Sequence, residues 1–510
     1  MNLASLLVER AGMHPERLAL ADACGTVTYG ELALRVSAGA SELQEMGLKR
    51  GQVILVFQPV SIELYEILLA AFHAGLWVML ADPSAGREFL SHCCRRLMPD
   101  AFFGSWKAQC LRLTVSEMRA IPVSICPAGW FPGAKAWRTD QAGIAPEEVA
   151  DEEPALVTFT SGSTGMPKAA VRSHGFLLAQ HRALSKALDF EEGEVDLITL
   201  PVFVLANLAS GLTSVLAATD LAKPGSPDVA AVSAQCEKFR VTRCAASPAF
   251  FEGFLASGAG VPAFQKVFTG GAPVFPDLLR RLRNALPGAC IHSVYGSTEA
   301  EPIAHFPTVG ADDETNSLTR RGGGLCVGEP VEEIDLRIIR DSWGTSLGPL
   351  TDDEFAALAV ETGQAGEIVV SGDHVLPGYL GGIGDGETKI HVGGRVWHRT
   401  GDAGRMDSLG RVWLLGRCAE KLPGDAFCYP FAIECALRED FPEIRMAALD
   451  WEGRRTLVVG KKCASAEAAG IEARAGDFGI ERVIFLDSIP LDRRHQAKVD
   501  YPALRGLLSA

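Results

Sequence analysis

The 510-residue chain has no basic stripe, no paired-cysteine motif, no internal repeat and no low-complexity segment. Each absence removes a class of function. Without a basic stripe, and with a formal net charge of −15, the chain does not have nucleic acid as its main partner. Its 13 cysteines are scattered, with no CxxC pair and no metal-ligand spacing. That pattern fits reduced, buried thiols in a cytoplasmic protein rather than a disulfide scaffold or a zinc module. The most apolar window, Ile67 to Leu80, is interrupted by His73 and Gly75 and is too short to span a bilayer. It reads as a buried helix to His73 that turns at Gly75 into a core strand, so no transmembrane segment is expected. At the amino terminus, Glu9 and Arg10 break the apolar stretch at once, which does not suit a secretion signal.

What is present is material for a large folded protein: 47% hydrophobic and 22% charged residues leave ample core and no reason for disorder. The length implies more than one domain. Strand-like and helix-like runs alternate through most of the chain, at Val53–Gln58, Ile62–His73, Trp77–Leu80, Asp196–Leu200, Gly211–Leu216, Val241–Ala245, Lys266–Thr269 and Ile291–Val294. This rhythm predicts an α/β fold with largely parallel sheets. Beyond Gly323 the texture changes to short strands and turns, as in a small β-rich subdomain, and 372–394 is glycine-rich and loop-like. From Arg417 a balanced tail follows, with 14 Lys/Arg against 15 Asp/Glu, of a size for a small α+β domain. The expected division is therefore 1–416 and 417–510.

The richest chemistry lies at 158–168, Thr-Phe-Thr-Ser-Gly-Ser-Thr-Gly-Met-Pro-Lys, flanked by apolar strand-like runs. Gly162 and Gly165 free the backbone to point several N–H groups into one concavity. Thr160, Ser161, Ser163 and Thr164 add hydroxyls, and Lys168 adds a positive charge. The loop is not the P-loop of the NTPases, because Pro167 precedes Lys168 and no Gly-Lys-Ser/Thr closes it. By itself it reads equally as a phosphate cradle or a plain surface loop.

Four further patches bear on that choice: Gly270-Gly271-Ala272-Pro273 and Val294-Tyr295-Gly296-Ser297-Thr298-Glu299, each after a strand; Arg399-Thr400-Gly401-Asp402 before a turn; and Arg494-His495-Gln496-Ala497-Lys498. Each alone has an ordinary explanation as a turn, a core aromatic or a solvated charge. In this order, together with the loop, they resemble the adenylate-forming superfamily of acyl-CoA synthetases, adenylation domains and luciferases, over about residues 29 to 508.

The resemblance implies a large N-terminal domain and a small mobile C-terminal domain, with ATP and a carboxylic acid bound at their junction. Thr160, Ser161, Gly162, Ser163, Thr164, Gly165 and Lys168 would hold the β- and γ-phosphates. Gly271 and Ala272 would line the adenine slot, and Tyr295 would stack on the base. Thr298 would contact the α-phosphate and Glu299 would hold Mg²⁺. Asp402 and Arg417 would bind the ribose hydroxyls. Lys498 would bridge the carboxylate and the α-phosphate, where two anions must be neutralised as they meet.

Closer wording is similar to the olefin-pathway β-lactone synthetases: Leu200-Pro201-Val202-Phe203, Ser247-Pro248-Ala249, Tyr295–Pro302, and above all Ile489–Lys498. This branch implies a 2-alkyl-3-hydroxy fatty acid, activated as its adenylate and closed to a β-lactone by its own hydroxyl, with a decarboxylase acting downstream. His495 would assist ring closure or simply pack. CoA ligases usually carry a Gly-Gly-Glu-Asn-type loop after the hinge; here the segment is Lys421-Leu422-Pro423-Gly424-Asp425-Ala426-Phe427-Cys428. Departures from the branch are Cys418 and Ala419 at the hinge, Ser297 in place of Ala, and Glu301 near the expected acyl site, either tuning its polarity or merely solvated. The alternatives are a ligase forming a thioester on CoA or a carrier protein, and a nucleotide-binding homologue without chemistry. Phe203, Val204, Leu205 and Leu208 would line an acyl pocket or pack as a core helix.

Overall fold

The computed structural model describes residues 1–82, 85–127, 129–161, 167–308, 313–424, 428–461, 465–491 and 498–509. They divide into two compact units, one of residues 1–218, 234–243 and 373–385, the other of 219–233, 244–372 and 386–510. The architecture is the mixed α/β one that the alternation predicts.

In the first unit, five apolar residues in a row, Val53–Phe57, form a strand buried on both faces. That is the pattern of a central parallel strand, which helices cover above and below. It lies in a seven-stranded sheet ordered Lys135–Ala136, Val123–Cys126, Ala101–Gly104, Val53–Phe57, Trp77–Leu80, Pro154–Ser161, Pro167–Ser173. All pairings are parallel except the last. Leu55, Met79, Phe102 and Val157 meet in the core beneath it. The helix Ile62–His73 starts where the Ser61 hydroxyl accepts the Leu64 N–H, and it is buried along almost its whole length. Its apolar character thus reflects a core position.

The strands Val195–Ile198, Thr213–Leu216 and Leu18–Ala21 run parallel, with Thr26–Thr28 antiparallel at the end. The helix Phe203–Ser210 packs its buried Phe203, Val204 and Leu208 inward. Leu205, Leu208 and Ala209 meet Leu3, Leu6, Leu7 and Leu69 around a void of about 10 Å³. Phe203, Val204 and Leu208 are buried, and Leu205 is partly buried.

In the second unit, the strand order Asp335–Ile339, Gly366–Ser371, Arg395–Met406, Val412–Arg417, Leu325–Pro330, Ala300–Pro307, Cys290–Ser297 is antiparallel throughout, and Lys266–Gly270 then pairs in parallel with Cys290–Ser297. The β-rich texture after Gly323 is this antiparallel region. The span read as a loop from 372 to 394 contains the short helix Asp385–Thr388 and the strand Lys389–Val392. Its glycines serve turns between short elements.

The tail builds a three-stranded sheet, Met446–Trp451, Arg454–Val459 and Arg482–Phe485, packed against the helix Pro430–Asp440. Ile433, Leu437, Leu457 and Ile471 form its core. In this conformation the helix docks within the second unit: the Arg438 guanidinium lies 4.0 Å from the Phe275 ring centre and donates to Glu252 at 3.2 Å.

Candidate active site

Two paired strands carry the two ends of the hydroxyl-rich segment. Pro154–Ser161 pairs antiparallel with Pro167–Ser173, with Thr160 opposite Lys168 and Ser161 opposite Pro167. Gly162, Ser163, Thr164 and Gly165 lie outside the described residues, as do the side chains of Thr160 and Ser161. Lys168 is buried, with Nζ 5.6 Å from the Tyr379 ring centre. Gly384, at φ +103°, approaches the same side chain so closely that a Cβ there would come within 2.6 Å of it. Lys168 is thus a positioned cation, held by an aromatic face and a glycine turn.

The second unit brings three of the expected residues together. Asp402 accepts from the Tyr295 hydroxyl at 2.7 Å and from Arg417 Nη1 at 2.8 Å. Two carboxylate oxygens therefore serve two different donors. Burial, and then the Asp402 charge, push the Tyr295 phenol well above its usual range, so it stays a donor. The charge of Asp402 likewise raises Arg417, and Glu299 adds to the same effect. The Tyr295 hydroxyl is an anchor that the stacking role did not suggest; nothing in the sequence signals its pairing across 107 positions.

Local chemistry explains how the cluster forms. The Arg399–Asp402 motif lies inside the long strand Arg395–Met406, not before a turn. Gly401 kinks that strand at φ +70°, a conformation glycine adopts without strain. The Thr400 hydroxyl donates to Ile368 O and accepts from Asp402 N. Beneath it, Arg399 and Glu367 form a fully buried two-point ion pair, and Arg399 also donates to Thr345 O. The pair fixes the strand that carries Asp402.

Tyr295, Gly296 and Ser297 also belong to a strand, Cys290–Ser297, rather than following one. The Ser297 hydroxyl accepts from the backbone N–H of Glu299 and Ala300, which shapes the turn carrying Thr298 and Glu299. A hydroxyl where the olefin branch usually has alanine therefore has a local structural job. Glu301 is partly buried, placed where a Cβ on Gly296 would come within 3.1 Å of it. Gly271 follows the strand Lys266–Gly270 at φ +77°, and half-buried Ala272 comes next. Lys498 is exposed, three residues before the helix Tyr501–Leu508. His495 lies outside the described residues.

Among the described residues no group of three or more His, Cys, Asp or Glu side chains could hold a metal ion. A magnesium ion carried in on a polyphosphate asks less, since one carboxylate, waters and phosphate oxygens suffice. Glu299, beside the Asp402–Arg417 pair, fits that lighter requirement.

Comparison with known proteins gives the family. Residues 7–380 match the AMP-binding enzyme family, and the chain belongs to it. Among its relatives is an olefin beta-lactone synthetase of Stenotrophomonas maltophilia, 30% identical, with 100% of this chain and 98% of that protein aligned. Its counterpart in Xanthomonas campestris is also 30% identical, over 98% and 96%. An indoleacetate–CoA ligase of Aromatoleum aromaticum is 27% identical over 97% and 90%. The fold matches an amide bond synthetase from Marinactinospora thermotolerans at a TM-score of 0.79, with 22% identity and 99% of both chains covered. It also matches the ATP- and magnesium-bound O-succinylbenzoate coenzyme A synthetase of Bacillus subtilis at 0.77, with 20% identity and 99% of both chains. The chain is accordingly an AMP-forming, acid-activating ligase that uses ATP. No helix among the described residues is long and apolar enough to cross a membrane.

Proposed function

We propose that this protein activates a 2-alkyl-3-hydroxy fatty acid with ATP and closes it to a β-lactone. The full-length similarity to two olefin beta-lactone synthetases carries this reading. In the first step a carboxylate oxygen attacks the α-phosphorus, the bond to the β-phosphate oxygen breaks, and pyrophosphate leaves. In the second the substrate's own β-hydroxyl oxygen attacks the acyl carbon. The bond to AMP then breaks, and the hydroxyl proton passes to a base. A tethered nucleophile gains effective molarity, which offsets part of the strain of a four-membered ring.

Each residue has a role in this scheme. Residues 160–165 and Lys168 hold the β- and γ-phosphates. Gly271 and Ala272 border the adenine, and Tyr295 packs beside it while its hydroxyl fixes Asp402. Asp402 and Arg417 receive the ribose hydroxyls, and Thr298 donates to the α-phosphate. Glu299 would hold a magnesium ion, which would supply charge neutralisation at the phosphates. Lys498 joins the carboxylate to the α-phosphate during the first step and withdraws with a mobile tail, residues 417–510, before the second. His495 lies near Lys498 in sequence and assists proton removal from the hydroxyl. A decarboxylase that consumes the lactone is the implied next enzyme.

The segment Lys421–Cys428, which lacks the Gly-Gly-Glu-Asn wording, supports an acceptor inside the substrate. The test is incubation of purified protein with ATP, Mg²⁺ and a 2-alkyl-3-hydroxy acid, with and without CoA. Lactone and AMP without CoA support the proposal. A CoA-dependent thioester replaces it with a ligase reading, and no pyrophosphate from any acid would leave only nucleotide binding.

A further inference from the structure

The helix Tyr501–Leu508 begins three residues after Lys498 and is tied at both ends. At its start the Tyr501 hydroxyl donates to Glu434 Oε1 at 2.7 Å, and the Ala448 N–H donates to the same oxygen at 2.9 Å. Four residues later Arg505 pairs with Glu420 through both carboxylate oxygens. Glu420 ends the short turn Cys418–Glu420, directly after Arg417. Leu504, fully buried, packs with Ala447, Leu449, Val458 and Ile489 between the two ties. Between the lysine and the helix, Val499 bridges Leu491, Asp500 N donates to Pro490 O, and the Asp500 carboxylate caps the helix through Ala503 N.

We infer that Tyr501 and Arg505 are positioning residues for adenylation: with Glu434 and Glu420 they lock the lysine-bearing end of the tail to the turn that follows Arg417. The inference rests on the proposed role of Lys498. It goes beyond that role, because it assigns the placing of the lysine to side chains that touch neither nucleotide nor acid. The lever is short. Only Val499 and Asp500 separate the lysine from an anchored ring, so loss of the phenol bond frees the helix start that sets where Lys498 points. The second tie runs to the turn beside Arg417, so any movement of that turn is passed to the helix as a unit. A buried hydroxyl–carboxylate bond and a two-point ion pair are the strong, directional contacts such coupling needs.

Tyr501→Phe, Arg505→Met, Glu434→Gln and Lys498→Ala test this by acid-dependent ATP–pyrophosphate exchange, with folding checked by circular dichroism. Tyr501→Phe and Arg505→Met should each lower kcat about tenfold, the loss expected for one buried bond, with KM for ATP within twofold. Glu434→Gln keeps an acceptor oxygen for Tyr501 and should exchange near the parent rate. A merely structural role would move KM and stability together and would not be rescued in this way. If Lys498→Ala is inactive while folded Tyr501→Phe and Arg505→Met exchange at the parent kcat, the inference fails and the lysine reading stands. If Lys498→Ala exchanges normally, the lysine reading fails first and the inference with it.

Discussion

The cluster around Asp402 and the tail around Lys498 hold their key residues in opposite ways. Asp402 sits on a strand braced by neighbours on both sides, and its two oxygens are already engaged by Tyr295 and Arg417. Lys498 is exposed, three residues before a helix that Tyr501 anchors at its start. The first arrangement suits a group that must be in place whenever nucleotide arrives. The second suits a charge needed for one step and unwelcome in the next. The strand region thus braces its key residue on both sides, the tail carries its lysine beside an anchored helix, and the substitutions below probe each arrangement.

Breaking the brace under Asp402 should have the largest effect. Arg399→Leu leaves Glu367 buried without its partner and should cost about 3–5 kcal/mol of stability, seen as a lower denaturation midpoint in urea. Next comes Lys498→Ala, expected to slow pyrophosphate release by about 10²–10³-fold, as loss of a group that acts on developing charge does. Circular dichroism should be unchanged, and normal release would undo the contrast. Asp402→Ala should act on binding instead. It removes a charged acceptor and should raise KM for ATP by about 10–100-fold, with a smaller change in kcat.

The smallest effect concerns pH and belongs to the tail. Burial pushes the Glu434 carboxyl up to about 7, with Tyr501, the Ala448 N–H and Glu420 facing it. A carboxyl that holds its proton more tightly when folded stabilises the fold most at low pH. That contribution is full below about pH 4 and is lost as pH rises to about 7. Glu434→Gln should therefore match the parent near pH 4. By pH 8 it should be about 1–3 kcal/mol more stable, read as greater hydrogen-exchange protection of the helix Tyr501–Leu508. A difference that does not change with pH would remove the carboxyl from the account.

Much of this was legible in the sequence. Ile62–His73 and Trp77–Leu80 are the helix and strand that their apolar pattern indicates, because burial on all sides leaves few alternatives. The family was legible from the order of the motifs near 271, 295 and 402, and Tyr295, Asp402 and Arg417 do meet in the fold. Contacts between distant segments were not legible. Tyr295 with Asp402, Arg399 with Glu367 and Tyr501 with Glu434 are separated by 107, 32 and 67 positions. The kink at Gly401 reads as a turn in sequence, because the same left-handed backbone serves a turn and a distorted strand. The acyl-pocket option for Leu205 and Leu208 was ambiguous for a similar reason: a helix facing core and a helix facing lipid share one periodicity.

The measurement that tests the central claim most directly is product analysis after incubating the protein with ATP, Mg²⁺ and a 2-alkyl-3-hydroxy acid in the absence of any thiol. The account predicts AMP, pyrophosphate and a β-lactone in equal amounts. Accumulation of the acyl-adenylate with no lactone, discharged only when CoA is added, would contradict it.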